Sequence, residues 1–112
     1  MPKFLIQATY TAEGTRGLLE EGASGRRSAV EQAVSGLGGT VEAMYFAFGE
    51  YDIVVIVDFP DAAAMAAASL AVKASGALHT RATPLLALDE LDEAAHRQVP
   101  FRAPGGQGPA GT

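Results

Sequence analysis

No cysteine occurs in the 112 residues, which excludes disulfides and thiolate metal sites. Basic residues are scarce and scattered: eight lysines and arginines stand against thirteen aspartates and glutamates, for a formal charge of -5. Phosphate binding needs clustered Lys and Arg, so no nucleic-acid partner is expected. Arg26-Arg27 is the one basic pair, and it reads as part of a solvated helix face. The two histidines, His79 and His96, form no closely spaced ligand pair. A metal or haem site, or any tightly bound cofactor, is therefore not expected. No apolar run of ~18 residues exists, so no membrane span is expected. The opening "MPKFLIQATY" lacks the apolar region and cleavage site of a secretory leader, which makes the cytoplasm the expected location.

What is present is a regular alternation of strand and helix patterns. "KFLIQATY", Lys3 to Tyr10, places Phe4, Ile6, Ala8 and Tyr10 on one face and Leu5, Gln7 and Thr9 on the other. Thr11 is an N-cap for a short helix to about Glu21. Ser24 caps a second helix, Gly25 to Leu37, whose stripe is Ala29, Val30, Ala33, Val34 and Leu37; Gly38-Gly39 ends it. "TVEAMYFAFG" is a strand with Val41, Ala43, Tyr45 and Ala47 opposing Glu42, Met44, Phe46 and Phe48. "YDIVVIVDF" is apolar on both faces at its centre, the mark of an interior strand. Gly49 in the connection fits a hairpin. Asp61 caps a helix of high intrinsic propensity through "AAAMAAASLAVKAS", which Gly76 stops. "ALHTRATPLLAL" is a fourth strand, and Pro84 confines it to an edge or a bulge. "DELDEAAHRQ" is a terminal helix capped by Asp89, with Leu91, Ala94 and Ala95 as its apolar stripe. After Pro100 the chain is rich in Gly and Pro and is expected to be disordered. Residues 1–99 thus form one domain and 100–112 a tail.

The order β-α-β-β-α-β plus a helix predicts an α+β, ferredoxin-like βαββαβ sandwich: a four-stranded antiparallel sheet in spatial order 4-1-3-2, helices on one face, and an extra C-terminal helix. The other sheet face is too apolar to be left wet, given the third strand and the placement of Phe46 and Phe48 there. Such a patch marks an interface, and sheet-to-sheet dimerisation is expected, as a homodimer or a larger even assembly.

"KFLIQATYTAEGTRGLLEEGASGRR" and "VEAMYFAFGEYDIVVIVDFPD" resemble the GYD-domain family of small bacterial proteins. The likeness runs from about Pro2 to Leu88, with Gly49, Tyr51 and Asp52 at the family's Gly-acid-Tyr-Asp motif, and "LAVKASGALHTRATPLL" resembles its second helix and last strand. The resemblance implies a dimeric α+β barrel, two such units closing their sheets around a shared cavity. It does not imply a reaction, because the related superfamily spans oxygenases, haem-handling proteins and isomerase-like proteins, and a shared fold does not choose among them.

Two groups of residues are candidates for chemistry. Gly49-Glu50-Tyr51-Asp52 is either a plain turn, with Gly supplying positive φ and Asp bonding to local backbone, or the mouth of a cavity. In the second case Asp52 is a base and Tyr51 a hydrogen-bond donor. His79 and Arg81 share one face of the fourth strand, and Gln7 and Thr9 face the same way on its neighbour. They are either solvated edge charges or a polar cluster, with Arg81, Gln7 and Thr9 binding an anion and His79 moving a proton. The first and third strands stand between the two groups in one subunit, so convergence is expected through a dimer. The functional expectation is a small anionic or phenolic metabolite, bound or transformed without a tight cofactor, in a cavity between sheet and helices or at a dimer centre. The alternative is a non-catalytic oligomerising or regulatory module that uses its sheet face as an interface.

Overall fold

The computed structural model describes residues 1–106. Its elements are β1 (Lys3–Tyr10), α1 (Ala12–Gly36), β2 (Thr40–Phe46), β3 (Ile53–Asp58), α2 (Ala62–Ser75), β4 (Leu78–Leu85) and α3 (Leu88–His96). All sheet pairings are antiparallel, in the order β2-β3-β1-β4. This is the predicted 4-1-3-2 arrangement read from the other side. Pro84 lies on the edge strand β4, where its missing donor costs no ladder bond.

The alternation in β1 and β3 decides the two faces. Phe4, Ala8, Ile53, Val55 and Val57 are buried under the helices, together with Val34, Phe59 and Met65. Full burial of each large side chain is worth ~1.5–3 kcal/mol, and the edge strands contribute little to this set. Directly opposed residues share a face. Leu5, Gln7 and Thr9 therefore lie with Val54 and Ile56, and with Thr83, Arg81 and His79, on the face that no helix covers.

Strand β2 departs from the expected pattern. Val41 opposes Val57, but Ala43 opposes Ile56, with an irregularity between them at Glu42. This bulge inserts one residue and reverses the alternation after it. Met44 and Phe46 then oppose Val55 and Ile53 on the helix side, while Tyr45 opposes Val54 on the open side. Phe46 is thus not an open-face residue, and the exposed Phe48 lies beyond the strand. Glu42 bonds Lys3 Nζ at 2.7 Å, and Lys3 also holds Asp58 at 2.9 Å. The open face therefore ends in a small ionic network at one corner.

The two expected helical pieces run as one element, interrupted only at Gly22 (φ 79°, ψ 167°). Thr11 caps it as predicted, its hydroxyl accepting from Gly14 N–H at 3.1 Å. Asp61 caps α2, and Gly76 closes it in the left-handed region (φ 70°). In α3 the expected cap is displaced: Ala87 precedes the helix, and Glu90 accepts its N–H at 2.9 Å, so Asp89 falls in the first turn. None of α3 is buried. Of the expected tail, residues 100–106 form no helix or strand, and residues 107–112 lie outside the described part.

Candidate functional site

The helices do not close on the sheet. Between them is a cavity of about 430 Å³. Its floor is the helix side of β1 and β3, including Ile6, Ala8, Ile53 and Val55; its walls are Ala29 and Ala33 of α1 and Ala67, Ala68 and Ala71 of α2. The short side chains of these alanines leave the space unfilled. Ala33, Ala67 and Ala71 remain exposed, so the cavity opens between the two helices.

Almost everything lining this space is apolar. The exceptions are Tyr10, Arg26 and Thr80. Tyr10 Oη and Arg26 Nε are shielded from solvent, and neither has a hydrogen-bond partner among the described residues. Leaving a buried donor unmatched costs ~1–3 kcal/mol, so two such groups at one apolar cavity call for an explanation. Arg26 Nε has a carboxylate nearby: Glu21 Oε2 lies at 3.6 Å, a distance that gives charge attraction but no proper hydrogen bond. Burial pushes the Tyr10 phenol above its usual 10.0; Arg26 opposes this, while Glu21 and Asp52 add to it. The phenol is thus held neutral and remains a donor.

A larger depression of about 910 Å³ runs along the outer side of α1 past Ser24, Arg27, Glu31 and Thr40. It is an open, polar surface groove, and its Arg27 already pairs with Glu31 at 3.0 Å. Its size reflects adjoining solvent, and the smaller apolar cavity has the more usual form of a small-molecule pocket.

On the open sheet face, Gln7 opposes Arg81 and Thr9 opposes His79. Arg81 and His79 are exposed; Gln7, Thr9, Tyr51 and Asp52 are half-buried. The β2–β3 connection leans over the end of β1, where Thr9 Oγ1 donates to Glu50 O at 3.4 Å. Tyr51 is thereby brought near Arg81, and interaction with its phenol raises the Arg81 pKa. Tyr51 and Arg81 thus lie near one another within one chain, although the first and third strands were expected to keep the two groups apart in one subunit. Asp52 is engaged elsewhere: its Oδ2 accepts the Tyr10 N–H at 2.9 Å, and its own N–H donates to Ala8 O at 2.9 Å.

The family model described as GYD domain matches residues 4–95. The chain belongs to the GYD-domain family. No curated protein and no solved structure matches it. In this GYD domain the Gly49–Asp52 turn has a clear structural task. Asp52 ties the hairpin to the end of β1, and Ala47 N–H closes the turn onto Asp52 O at 2.8 Å. Tyr51 then projects toward the open face, while Tyr10, whose backbone Asp52 holds, projects the other way into the cavity.

The alternation of the first strand put Tyr10 on the face of Phe4, Ile6 and Ala8, and Arg26 was expected on a solvated helix face. A signal for Arg26 was available: it precedes Ala29, Val30 and Ala33 by three, four and seven residues, and so extends the buried stripe of α1 by one turn. No pattern in the sequence marks the space between them, because it arises from the distance at which two alanine-rich helices stand above the sheet.

Proposed function

We propose that this GYD domain binds a small, largely apolar metabolite in the cavity between its helices and its sheet, without a tightly bound cofactor. The observation that carries this reading is the pair of unpartnered buried donors, Tyr10 Oη and Arg26 Nε, on the wall of an otherwise apolar 430 Å³ space. Sites of this size, apolar with a few convergent polar groups, are the usual form of small-molecule pockets. The test is to fill the space. Ala68→Leu should abolish the thermal stabilisation that small aromatic and aliphatic compounds confer on the wild type, while the variant melts at the same temperature or higher. Retained stabilisation by those compounds would place their site elsewhere.

A second reading is favoured by a different observation: two apolar surfaces of the chain are uncovered. One is the open sheet face, with Leu5, Val54, Ile56 and the 71% exposed Tyr45; the other is α3 and its flanks, where Leu88 and Leu91 are exposed. We propose that they meet in a homo-oligomer, a dimer or a larger even assembly. Gln7, Thr9, Tyr51, His79 and Arg81 would then lie between copies, where Arg81 would hold an anionic group and His79 would carry a proton. Asp52 would act there as a base only with the oxygen that Tyr10 leaves free. In that setting Arg81→Ala should weaken an anion by ~1.5–3 kcal/mol; equal binding by the variant would mark Arg81 as a solvated edge charge.

A further inference from the structure

We propose that the ligand of the inter-helix cavity is an amphipathic monoanion, a carboxylate or an enolate-like anion on an apolar body, and that Glu21 occupies its head-group position until it binds. This rests on the cavity being the binding site, and it adds the charge class of the ligand and the residue that competes with it.

The argument begins with the donors. A guanidinium Nε–H only donates, and a neutral phenol with no acceptor nearby is most useful as a donor. Both unmatched groups therefore call for an acceptor, and the fixed charge on Arg26 calls for a negative one. A neutral alcohol would satisfy the hydrogen bonds but, on displacing Glu21, could not replace the negative charge that Glu21 holds beside Arg26. An ammonium would meet two donors and a positive charge. Thr80, the remaining polar residue of the lining, is uncharged and imposes no opposite preference.

The second strand of the argument is Glu21. Its carboxylate stands 3.6 Å from Arg26 Nε, near enough to balance charge and too far to make the bond. It also touches the Tyr10 phenol electrostatically, raising the pKa that burial has already raised. One carboxylate of the chain is thus already poised at the donors and satisfies neither. Glu21 and Arg26 lie on opposite sides of the break at Gly22, whose φ of 79° suits glycine alone. The piece of α1 before the break can carry Glu21 away while the piece after it keeps Arg26 in place. An entering carboxylate with an apolar body makes the hydrogen bonds that Glu21 misses and fills space that Glu21 cannot reach.

Isothermal titration of the full chain with two matched pairs tests this: decanoate against decanol, and naphthoate against naphthalenemethanol. In the wild type each anion should bind at least roughly tenfold tighter than its neutral partner, as a charged hydrogen bond implies. Arg26→Gln should remove that preference, so that each anion binds no tighter than its neutral partner, while the neutral compounds still bind and so report an intact cavity. Glu21→Gln should strengthen both anions roughly tenfold and the alcohols by clearly less. Equal binding of anion and alcohol by the wild type, or anion binding indifferent to Glu21→Gln, overturns the inference while the cavity still stands as a binding site. Binding of all four compounds that survives Ala68→Leu, or binding of none to either the wild type or Glu21→Gln, overturns the cavity reading itself.

Discussion

Tyr10 carries two duties at opposite ends of one residue. Its backbone N–H is held by Asp52, and its side chain stands buried without a partner. Removing only the unmatched hydroxyl relieves a desolvation cost, so Tyr10→Phe should leave the melting temperature unchanged or raise it by up to ~1 kcal/mol equivalent. The pH dependence follows from the same burial. The folded phenol has a pKa above 10.0, so above that pH the unfolded chain has lost a proton that the folded chain keeps. Fewer protons on the unfolded state means stability falls as pH rises. The loss begins near 10.0 and continues to the raised value. Lys3, also raised by its bonds to Glu42 and Asp58, adds a fall of the same sign in a nearby range. Denaturant titrations at several pH values should show a shallower alkaline decline for Tyr10→Phe, and phenolate absorbance should show one late-titrating tyrosine missing from it. An identical decline in both proteins would mean that Tyr10 is hydrated.

At the scale of elements, α1 shows how two glycines of equal propensity differ in worth. Both Gly14 and Gly17 weaken a helix by ~1 kcal/mol relative to alanine. Gly14 is buried, and a Cβ there would collide with the carbonyl of Ala77. The first turn of α1 is laid against the α2–β4 turn, with Thr11 N–H donating to Ala77 O at 2.9 Å and its hydroxyl to Gly76 O at 3.0 Å. Gly17 has open space around its Cβ position. Gly17→Ala should therefore stabilise by ~1 kcal/mol, and Gly14→Ala should destabilise by ~1–3 kcal/mol through the overpacked contact. Thermal melts separate these cleanly, since ~1 kcal/mol moves a domain of this size by ~4–8 °C. If Gly14→Ala also stabilised, the contact would be looser than the geometry indicates. The sequence announces both glycines and distinguishes neither, because the difference lies in a turn sixty residues away. The bulge at Glu42 is of the same kind: strict alternation through "TVEAMYF" assigns Phe46 to the open face, and one extra residue in the ladder moves it to the other.

For the whole molecule, the uncovered sheet face and α3 give the self-association proposal its test. Tyr45, not Phe46, is the open-face aromatic of β2. Tyr45→Asp and Leu91→Asp should each convert an assembled wild type to monomer in sedimentation velocity, whereas Phe46→Asp should leave the assembly in place. A wild type that sediments as a monomer, or variants that stay assembled, would remove the proposal. Truncation after Val99 should shift the melting temperature by no more than a few degrees, because residues 100–106 add no helix or strand to the sheet or its helices, and ordering each residue costs ~1–2 kcal/mol. A large loss would mean that the tail packs on a neighbouring copy.

Sequence alone determined the element order, the caps at Thr11 and Asp61, the stop at Gly76 and the interior place of β3, since each follows from local chemistry or from a period of two or of three to four residues. It also placed Gln7 and Thr9 beside Arg81 and His79, because strand order and alternation suffice for that. The tertiary structure alone decided the rest. The nearness of Tyr51 to Arg81 depends on how a loop folds over a strand end. The switch of Phe46 depends on a bulge that no local pattern specifies. The cavity with Tyr10 and Arg26 depends on the gap between alanine-lined helices and the sheet, which arises between surfaces and is written in no single segment.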